Sequence, residues 1–331
     1  MTRNSAASKD ILLLNEKIRE ADTIAISGHI SPDGDCIGSC LGLCTYIKDQ
    51  YPDKQVDIYL EPIADKFLFL KYANHIMQEK KKEQNYDLYF SLDCSEASRL
   101  GPYEKYFNEA AYTICIDHHF TNDGFGNLQF ICPDASSTCE VLYDLFDYEL
   151  ITKECATSLY LGIVHDTGVF KHSNTTRKVM EAAGALIEKG VSTSHIIDDT
   201  FYKKTYIQNQ ILGRALMESI LLMDGRMIFS VLTKKHLDIY GVDSSDLDGI
   251  IDQLRITEGV EVALLLYEKE VGQYKASLRS NGKVDVSRIT RELGGGGHIL
   301  AAGCTVEGRA RDIINHIAAQ VEYQLKEAGA L

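Results

Sequence analysis

Residues 23–51, TIAISGHISPDGDCIGSCLGLCTYIKDQY, form the segment that decides the fold. The first five residues are apolar and rich in β-branched side chains, which predicts a short strand, and residues 37–51 are typical of a helix. Between them, the polar stretch HISPDGD contains a proline and a glycine and predicts a tight loop. A strand, a loop and a helix in this order indicate an α/β fold.

The alternation of strand and helix continues through the first half of the chain. Short apolar runs of β-rich composition predict three further strands, at residues 56–60, 86–92 and 112–116. Helices are predicted at residues 10–21, 138–146 and 152–165, and from a cap at Thr175 or Thr176 to residue 189. Ser137 and Glu140 have the spacing of a capping box, in which each side chain bonds the exposed amide of the other residue. These elements predict a mostly parallel sheet with helices on both faces.

A second domain is expected because 331 residues exceed what one hydrophobic core usually serves. The chain changes character after Gly190, where a long helical pattern runs over residues 194–222. Strand signals return at residues 227–232, 260–267 and 274–279, and a closing helix is predicted at residues 312–326. We therefore predict a first domain over residues 1–190, a helical linker over 191–222 and a smaller α/β domain over 223–331.

Composition excludes several classes of protein. No apolar run approaches the roughly 20 residues of a membrane helix, so we expect a cytoplasmic protein with no membrane partner. The net charge is −14 and the only basic run is Lys80–Lys82, which argues against long duplex nucleic acid as a partner. A small anionic substrate stays compatible, because bound metal ions can supply local positive charge. The nine cysteines include no CxxC pair and are expected to be buried thiols.

Acidic and imidazole groups follow three of the predicted strands or end a predicted helix. Because ligand sites of open parallel sheets lie at the carboxyl ends of the strands, these groups are expected to meet in one site. Six of them are candidate metal ligands, namely His29, Asp33, Asp35, Asp93, His118 and Asp166. Carboxylate and imidazole without thiolate favour Mn²⁺, and Mg²⁺, Co²⁺, Fe²⁺ and Zn²⁺ stay open. This number of ligands suits two ions, with Asp93 as the expected bridging carboxylate.

The tripeptide Asp117-His118-His119 resembles the motif for which the DHH phosphoesterases are named. The residues around it resemble the other motifs of the family: His29, Asp33, Asp35 and Gly38-Ser39 the first, Asp93 the second, and His165-Asp166-Thr167-Gly168 the fourth. In the second half, Arg279-Ser280, the run GGGGH at 294–298 and Ala301-Ala302-Gly303 resemble the accompanying DHHA1 domain. The resemblance spans nearly the whole chain and is strongest to oligoribonucleases that are also 3′-phosphoadenosine 5′-phosphate (pAp) phosphatases.

This resemblance implies a role for each residue of the motifs. One Mn²⁺ would be bound by His29, Asp33 and Asp93, and the other by Asp35, Asp93, His118 and Asp166. The implied catalytic residues are Asp117, which would orient a neighbouring histidine, and His119, which would contact the phosphoryl oxygens. The implied reaction is an in-line attack on phosphorus by metal-bound hydroxide in a two-metal site.

The glycine run of the second domain predicts a substrate-binding loop. Backbone amides of consecutive glycines can approach a ligand closely and form a nest for an anion. Arg279 would add a bidentate grip on phosphate, and His298 would bond a phosphate or stack on a base. The predicted substrate-binding residues are Arg279, Ser280, Gly295, Gly296, Gly297 and His298.

The sequence thus predicts a Mn²⁺-dependent phosphoesterase that hydrolyses short oligoribonucleotides to mononucleotides and pAp to AMP. Its partners would be small nucleotides or very short RNA or DNA oligomers, and the family resemblance is compatible with a homodimer. Two alternative enzymes keep the same metal site: an exopolyphosphatase or pyrophosphatase, and a phosphodiesterase of cyclic dinucleotides or their linear products. A non-catalytic nucleotide sensor is a third alternative, although a sensor predicts a broken ligand set.

Overall fold

The computed structural model describes residues 5–79 and 85–331, so the basic run Lys80–Lys82 lies outside the described residues. The chain divides into two compact units, Met1–Lys203 and Lys204–Leu331. No helix among the described residues is both long and apolar enough to span a bilayer. The nine cysteines are free thiols, and all except Cys132 are buried, as the sequence predicted.

The first unit is built on a six-stranded sheet in which every pairing is parallel. Its strands are β1 (Thr23–Ser27), β2 (Gln55–Tyr59), β3 (Ile76–Met77), β4 (Leu88–Leu92), β5 (Tyr112–Asp117) and β6 (Leu128–Ile131). The strand order is β3-β2-β1-β4-β5-β6. The chain therefore builds the sheet outward from β1 in one direction, then returns to its other side, and the order reverses between β1 and β4.

Helices cover both faces of this sheet. They are α1 (Ser5–Glu20), α2 (Gly34–Gln50), α3 (Glu104–Glu109), α4 (Thr138–Leu145), α5 (Lys153–Asp166), α6 (Arg177–Glu188) and α7 (Thr193–Ile196), with a π-helix at Ile197–Tyr202. Short 3₁₀ helices lie at Asp65–Phe67, Ala73–His75, Ala97–Tyr103 and Tyr148–Leu150. The predicted α/β architecture of a parallel sheet between helices is confirmed.

The side chains of the central strands point alternately to the two faces of the sheet, and each face has its own apolar core. Ile24 and Ile26 of β1 belong to the core that includes residues of α2 and α5. Ala25, between them, belongs to a second core on the other face, with Tyr89 of β4 and Phe107 of α3. Successive side chains of a strand point to opposite faces, so a strand that is apolar at every position is covered on both sides.

The second unit contains a six-stranded mixed sheet with its own cores. Its strands are β7 (Ile220–Leu222), β8 (Met227–Leu232), β9 (Val262–Glu270), β10 (Gln273–Ser280), β11 (Gly296–His298) and β12 (Ala301–Glu307), in the order β11-β12-β10-β9-β8-β7. Only the β8–β9 pair is parallel among these described strands. Its helices are α8 (Tyr206–Met217), α9 (Lys234–Tyr240), α10 (Ile250–Arg255), α11 (Val286–Glu292) and α12 (Ala310–Glu327), with a 3₁₀ helix at Ser244–Leu247.

Two local predictions are wrong. The helical pattern over residues 194–222 is not one helix, because it breaks at Lys203 and Lys204 and ends in strand β7. Its first part belongs to the first unit and its second part to the second. The capping box is formed only in half: Ser137 accepts the Glu140 amide at 3.0 Å, but the Glu140 carboxylate accepts the amide of Ser136 at 2.6 Å rather than that of Ser137.

Candidate active site

The candidate site lies at the carboxyl end of the parallel sheet, where the strand order reverses. His29 follows the end of β1, Asp93 follows the end of the neighbouring β4, and Asp117 is the last residue of β5. Open α/β sheets bind ligands at such a reversal point. The grouping that the sequence predicted from separate strands is therefore present in the structure.

Asp93 lies at the centre of the cluster. One of its carboxylate oxygens, Oδ2, is 3.5 Å from His29 Nε2, and the other, Oδ1, is 3.5 Å from His118 Nε2. Thr138 donates its hydroxyl to Oδ1 at 3.0 Å, and the carboxylate is almost fully buried. The backbone of Asp93 has a φ of +58°, a left-handed conformation that is uncommon outside glycine and occurs where the surrounding structure requires it.

Asp35, His118 and Asp166 form one side of the cluster. His118 Nε2 is 3.1 Å from Asp166 Oδ2 and 4.0 Å from Asp35 Oδ2. Asp35 is fully buried, and its two oxygens accept the amides of Thr138 and Cys139 at 2.6 and 3.0 Å. These amides are in the first turn of α4, whose N-terminal dipole favours a negative charge.

His29 and Asp33 form the other side. The Ile30 carbonyl lies 2.8 Å from His29 Nδ1, which directs the Nε2 atom towards the carboxylates. Asp33 caps the N-terminus of α2 by accepting the amides of Asp35 and Cys36, and its Oδ1 is 3.7 Å from His29 Nε2. Cys36, which the sequence gave no reason to count as a ligand, places its thiol within 4.8 Å of the ligand atoms of His29 and Asp93.

His119 is paired with Asp117 beside this cluster. The His119 Nδ1 atom lies 2.7 Å from Asp117 Oδ1, and Asn122 donates to the other oxygen at 2.8 Å. Asp117 is fully buried, whereas the His119 side chain is 41% exposed. The pairing engages His119 Nδ1, and Nε2 is the second polar atom of this partly exposed ring.

The protonation of each group in the cluster depends on its charged neighbours. Burial lowers the pKa of His29, but Asp33 and Asp93 outweigh it and raise the pKa to about 11. Burial also lowers the pKa of His118, but Asp166 and Asp93 outweigh it and raise the pKa to about 11. Burial and the charges of Asp93 and Asp166 raise the pKa of Asp35 well above its usual range. Four carboxylates thus favour protons on the two histidines, and a divalent cation bound between the carboxylates would displace these protons.

The donor atoms fit divalent metal ions. Three groups of described residues can each surround an ion: His29, Cys36 and Asp93; Asp93, His118 and His119; and Asp35, His118 and Asp166. Ligands at about 2.0–2.2 Å from a shared ion lie at separations like the 3.1–4.0 Å observed here. Asp93 and His118 each belong to two of the groups, and of these only the carboxylate has two oxygens suited to contact separate ions.

The predicted substrate-binding residues lie together on the second sheet. In the register of the paired strands, Arg279 of β10 lies opposite Ala301 of β12, and Ala301 lies opposite His298 of β11. Directly opposed residues share a face of the sheet, so Arg279 and His298 flank a small side chain. Ser280 is buried and accepts the Gly282 amide at 3.1 Å.

The glycine run does not form the free loop that the sequence predicted. Gly296 and Gly297 are part of the edge strand β11, because the run pairs with β12 instead of forming a free turn. A Cβ on Gly295 would lie 2.3 Å from the Gly303 carbonyl oxygen, and one on Gly297 would lie 2.5 Å from the Ala302 Cα. The glycines therefore allow two backbones to approach closely, while the outer edge of β11 has no strand beside it in the described sheet.

Comparison with known proteins agrees with this geometry. Residues 23–163 match the DHH family, N-terminal domain, and residues 225–326 match the DHHA1 domain. The bifunctional oligoribonuclease and PAP phosphatase NrnA of Thermus thermophilus is 33% identical over 93% of this chain and 92% of its own length. The chain belongs to the DHH family.

This DHH protein is a phosphoesterase with the DHHA1 domain as its second half. The Bacillus subtilis NrnA enzyme is 28% identical over 92% of this chain and 96% of its own length. The crystal structure of an exopolyphosphatase-related protein from Bacteroides fragilis superposes with a TM-score of 0.87 over 98% of both chains, at 24% identity, which shows the shared fold.

Proposed function

We propose that this DHH phosphoesterase hydrolyses short oligoribonucleotides to mononucleotides and pAp to AMP, using two divalent ions with Mn²⁺ preferred. The observation that carries the proposal is the position of Asp93, whose two oxygens each lie 3.5 Å from a different histidine. The choice of substrate is supported by the NrnA relatives, which match this chain along nearly their full length.

The proposed ligands divide between the two sides of Asp93. His29 and Asp33 would complete one ion site with Asp93, and Asp35, His118 and Asp166 would complete the other. Bound ions would lower the pKa of a water molecule and offset the charge of the phosphate. The protein's own contribution is to fix these ligands: α4 amides orient Asp35, Thr138 orients Asp93, and the Ile30 carbonyl orients His29.

His119 would donate a hydrogen bond to the phosphoryl group. The pairing with Asp117 raises the pKa of His119, with burial acting against it, so that both ring nitrogens carry protons over a wider pH range. Asp117 accepts a hydrogen bond from Nδ1–H, and Nε2–H is left to donate to an anionic oxygen of the substrate. In the second unit, Arg279 and His298 would bind an anionic or aromatic group of a nucleotide.

One observation favours a second candidate function. The cyclic-di-AMP phosphodiesterase GdpP of Bacillus subtilis is 26% identical over 89% of this chain, although the chain spans only 46% of the length of GdpP. Cleavage of a cyclic dinucleotide or its linear product would use the same metal ligands. We therefore include these substrates in the test.

The decisive experiment compares product release from pAp, a diribonucleotide, cyclic di-AMP and pyrophosphate in the presence of Mn²⁺. We expect turnover of the first two substrates, and an Asp93→Asn variant should abolish it while keeping the fold, since asparagine also tolerates a positive φ. Asp53→Asn, at an exposed position in the turn before β2, is the matched control and should behave as the native protein. Turnover of pyrophosphate alone, or of cyclic di-AMP alone, would overturn the proposal in favour of the corresponding alternative.

A further inference from the structure

Phe120 follows the Asp117-His118-His119 motif directly and is 83% exposed. A phenylalanine side chain gains roughly 1.5–3 kcal/mol when it is buried, so a ligand that covers this ring would be stabilised by the contact. The residue lies next to His119, in the candidate active site of the first unit. Its neighbour Thr121 is also exposed but carries no large apolar surface.

The turn that carries Phe120 is anchored at both ends. Phe120 and Thr121 are the central residues of a β-turn closed by a 3.1 Å hydrogen bond from the Asn122 amide to the His119 carbonyl. At one end, the His119 ring lies against Asp117. At the other end, the buried Asn122 side chain donates to the Cys94 carbonyl at 3.0 Å and to Asp117 at 2.8 Å. The backbone under the exposed ring is therefore fixed to the same carboxylate that orients His119.

An aromatic ring in this position suits one part of a nucleotide. The phosphate would be recognised by charged groups, and a benzene ring adds nothing to its binding. A nucleobase has an uncharged π-face, and stacking on an aromatic side chain is favourable for every base. A ring carried on an anchored turn binds with less loss of conformational freedom than a ring on a loose loop.

We propose that Phe120 is the platform on which the base next to the reacting phosphate stacks, and that it gives this site its preference for nucleotides over inorganic phosphates. The proposal deepens the function proposed above and rests on it. Phe120 is a binding residue in this assignment, and the groups around Asp93 act on the phosphate.

Kinetics with a matched pair of substrates test the platform. Phe120→Ala should raise the KM for pAp by about tenfold, the effect of losing one base–aromatic stack, and leave kcat nearly unchanged. For ribose 3′,5′-bisphosphate, which has the same phosphates and no base, the variant and the native protein should have equal KM values. Thr121→Ala, in the same turn, is the control and should change neither constant. Phe120→Tyr should restore the native KM for pAp.

Fluorescence gives a readout that does not depend on turnover. The protein contains no tryptophan, so Phe120→Trp introduces a single tryptophan at the proposed platform, which can be excited selectively over the 18 tyrosines. With metal-loaded protein, AMP should quench this emission by stacking, and ribose 5-phosphate at the same concentration should not. The unreactive product keeps the experiment at binding equilibrium.

The possible failures are distinguishable. If the native protein turns over no nucleotide, the proposed function itself is wrong. If nucleotides are turned over and Phe120→Ala changes the KM for the abasic substrate as much as for pAp, the turn positions His119 and the stacking assignment is wrong. Unchanged KM values for both substrates, with no quenching by AMP, would overturn the stacking assignment.

Discussion

Gly34, between the candidate ligands Asp33 and Asp35, is required by close packing rather than by backbone conformation. A Cβ at this position would lie 2.2 Å from Cγ and 2.6 Å from Cβ of His165, atoms near the backbone of α5 that have little freedom to move. Gly34→Ala should therefore displace the loop or the helix, destabilising the protein by roughly 1–3 kcal/mol, and should weaken Mn²⁺ binding. Thermal unfolding and calorimetric titration with Mn²⁺ measure the two effects.

Gly184 provides the matched control for that substitution. It lies in α6 at an exposed position, and a Cβ there would meet no atom within 4 Å. Gly184→Ala should stabilise the protein by about 0.5–1 kcal/mol through helix propensity and leave Mn²⁺ binding unchanged. Equal Mn²⁺ affinity for Gly34→Ala and the native protein would show that the packing against His165 does not position the ligands.

His165 should give the stability of the protein a distinct pH dependence. Burial, with the charge of Lys66 as a second cause, lowers the pKa of His165 to about 4 from an ordinary value of 6.5. The Thr200 hydroxyl donates to the Ile196 carbonyl, so at 2.9 Å it accepts a hydrogen bond from His165 Nε2–H, which fixes the orientation of the ring. A divalent cation bound near His165 would also lower the pKa of His165.

The direction of this pH dependence follows from the pKa values of His165 in the folded and the unfolded chain. The unfolded chain takes up the His165 proton below about pH 6.5 and the folded protein only near pH 4, so stability falls as the pH drops through this window. Against His165→Gln, which cannot protonate, the native protein should lose up to roughly 3 kcal/mol between pH 7.5 and pH 4. Urea unfolding of both proteins at several pH values, with metal chelated, measures the difference. A stability difference between the native protein and His165→Gln that stays constant with pH would contradict the lowered pKa of His165.

At the scale of the element, helix α4 connects fold stability to the site. Ser137 caps it by accepting the Glu140 amide, and the next two amides bind Asp35. Ser137→Ala should cost about 1 kcal/mol, the usual value of an N-cap, measured by urea unfolding. Ser194→Ala, at an exposed position inside α7, should change stability by less than about 0.5 kcal/mol. If the two substitutions had equal effects, the cap would contribute nothing.

Elements with strong local patterns could be predicted, and elements defined by pairing could not. The strand at Thr23–Ser27 and the helix that follows it have clear apolar patterns, and the structure contains both. Strand β3 has two residues and β12 is rich in small residues, so neither has a local signal, and both exist because a neighbouring strand offers hydrogen bonds. The glycine run shows the same limit, because its pairing with β12 is invisible in its composition.

The candidate ligands could be predicted because the end of each strand marks the same edge of the sheet. Asp93 and Asp117 come from adjacent parallel strands, so their closeness follows from the topology. The contacts of Asp35 with the start of α4, more than 100 residues away, depend on tertiary packing. The thiol of Cys36 near His29 is likewise a result of how α2 packs, since its spacing in the sequence resembles no ligand motif.

At the scale of the whole molecule, each unit has the interior of an independent domain. The first unit has apolar cores on both faces of its sheet. The second unit also has two cores, one against α11 and α12 and the other against α8 and α10. A sheet covered on both faces by its own helices does not need another unit to bury its apolar surface.

The fragment 204–331 should therefore fold by itself, and its exact beginning should matter. Residues 204–222 contain α8 and β7, and Ile211 and Ala215 of α8 are fully buried in the core against β8 and β9. A fragment that begins at residue 223, the boundary predicted from sequence, lacks these side chains and exposes one face of the sheet. We expect a cooperative thermal transition by circular dichroism for 204–331, and a lower or absent transition for 223–331. Equal transitions for the two fragments would place α8 and β7 outside the folding unit and restore the predicted linker.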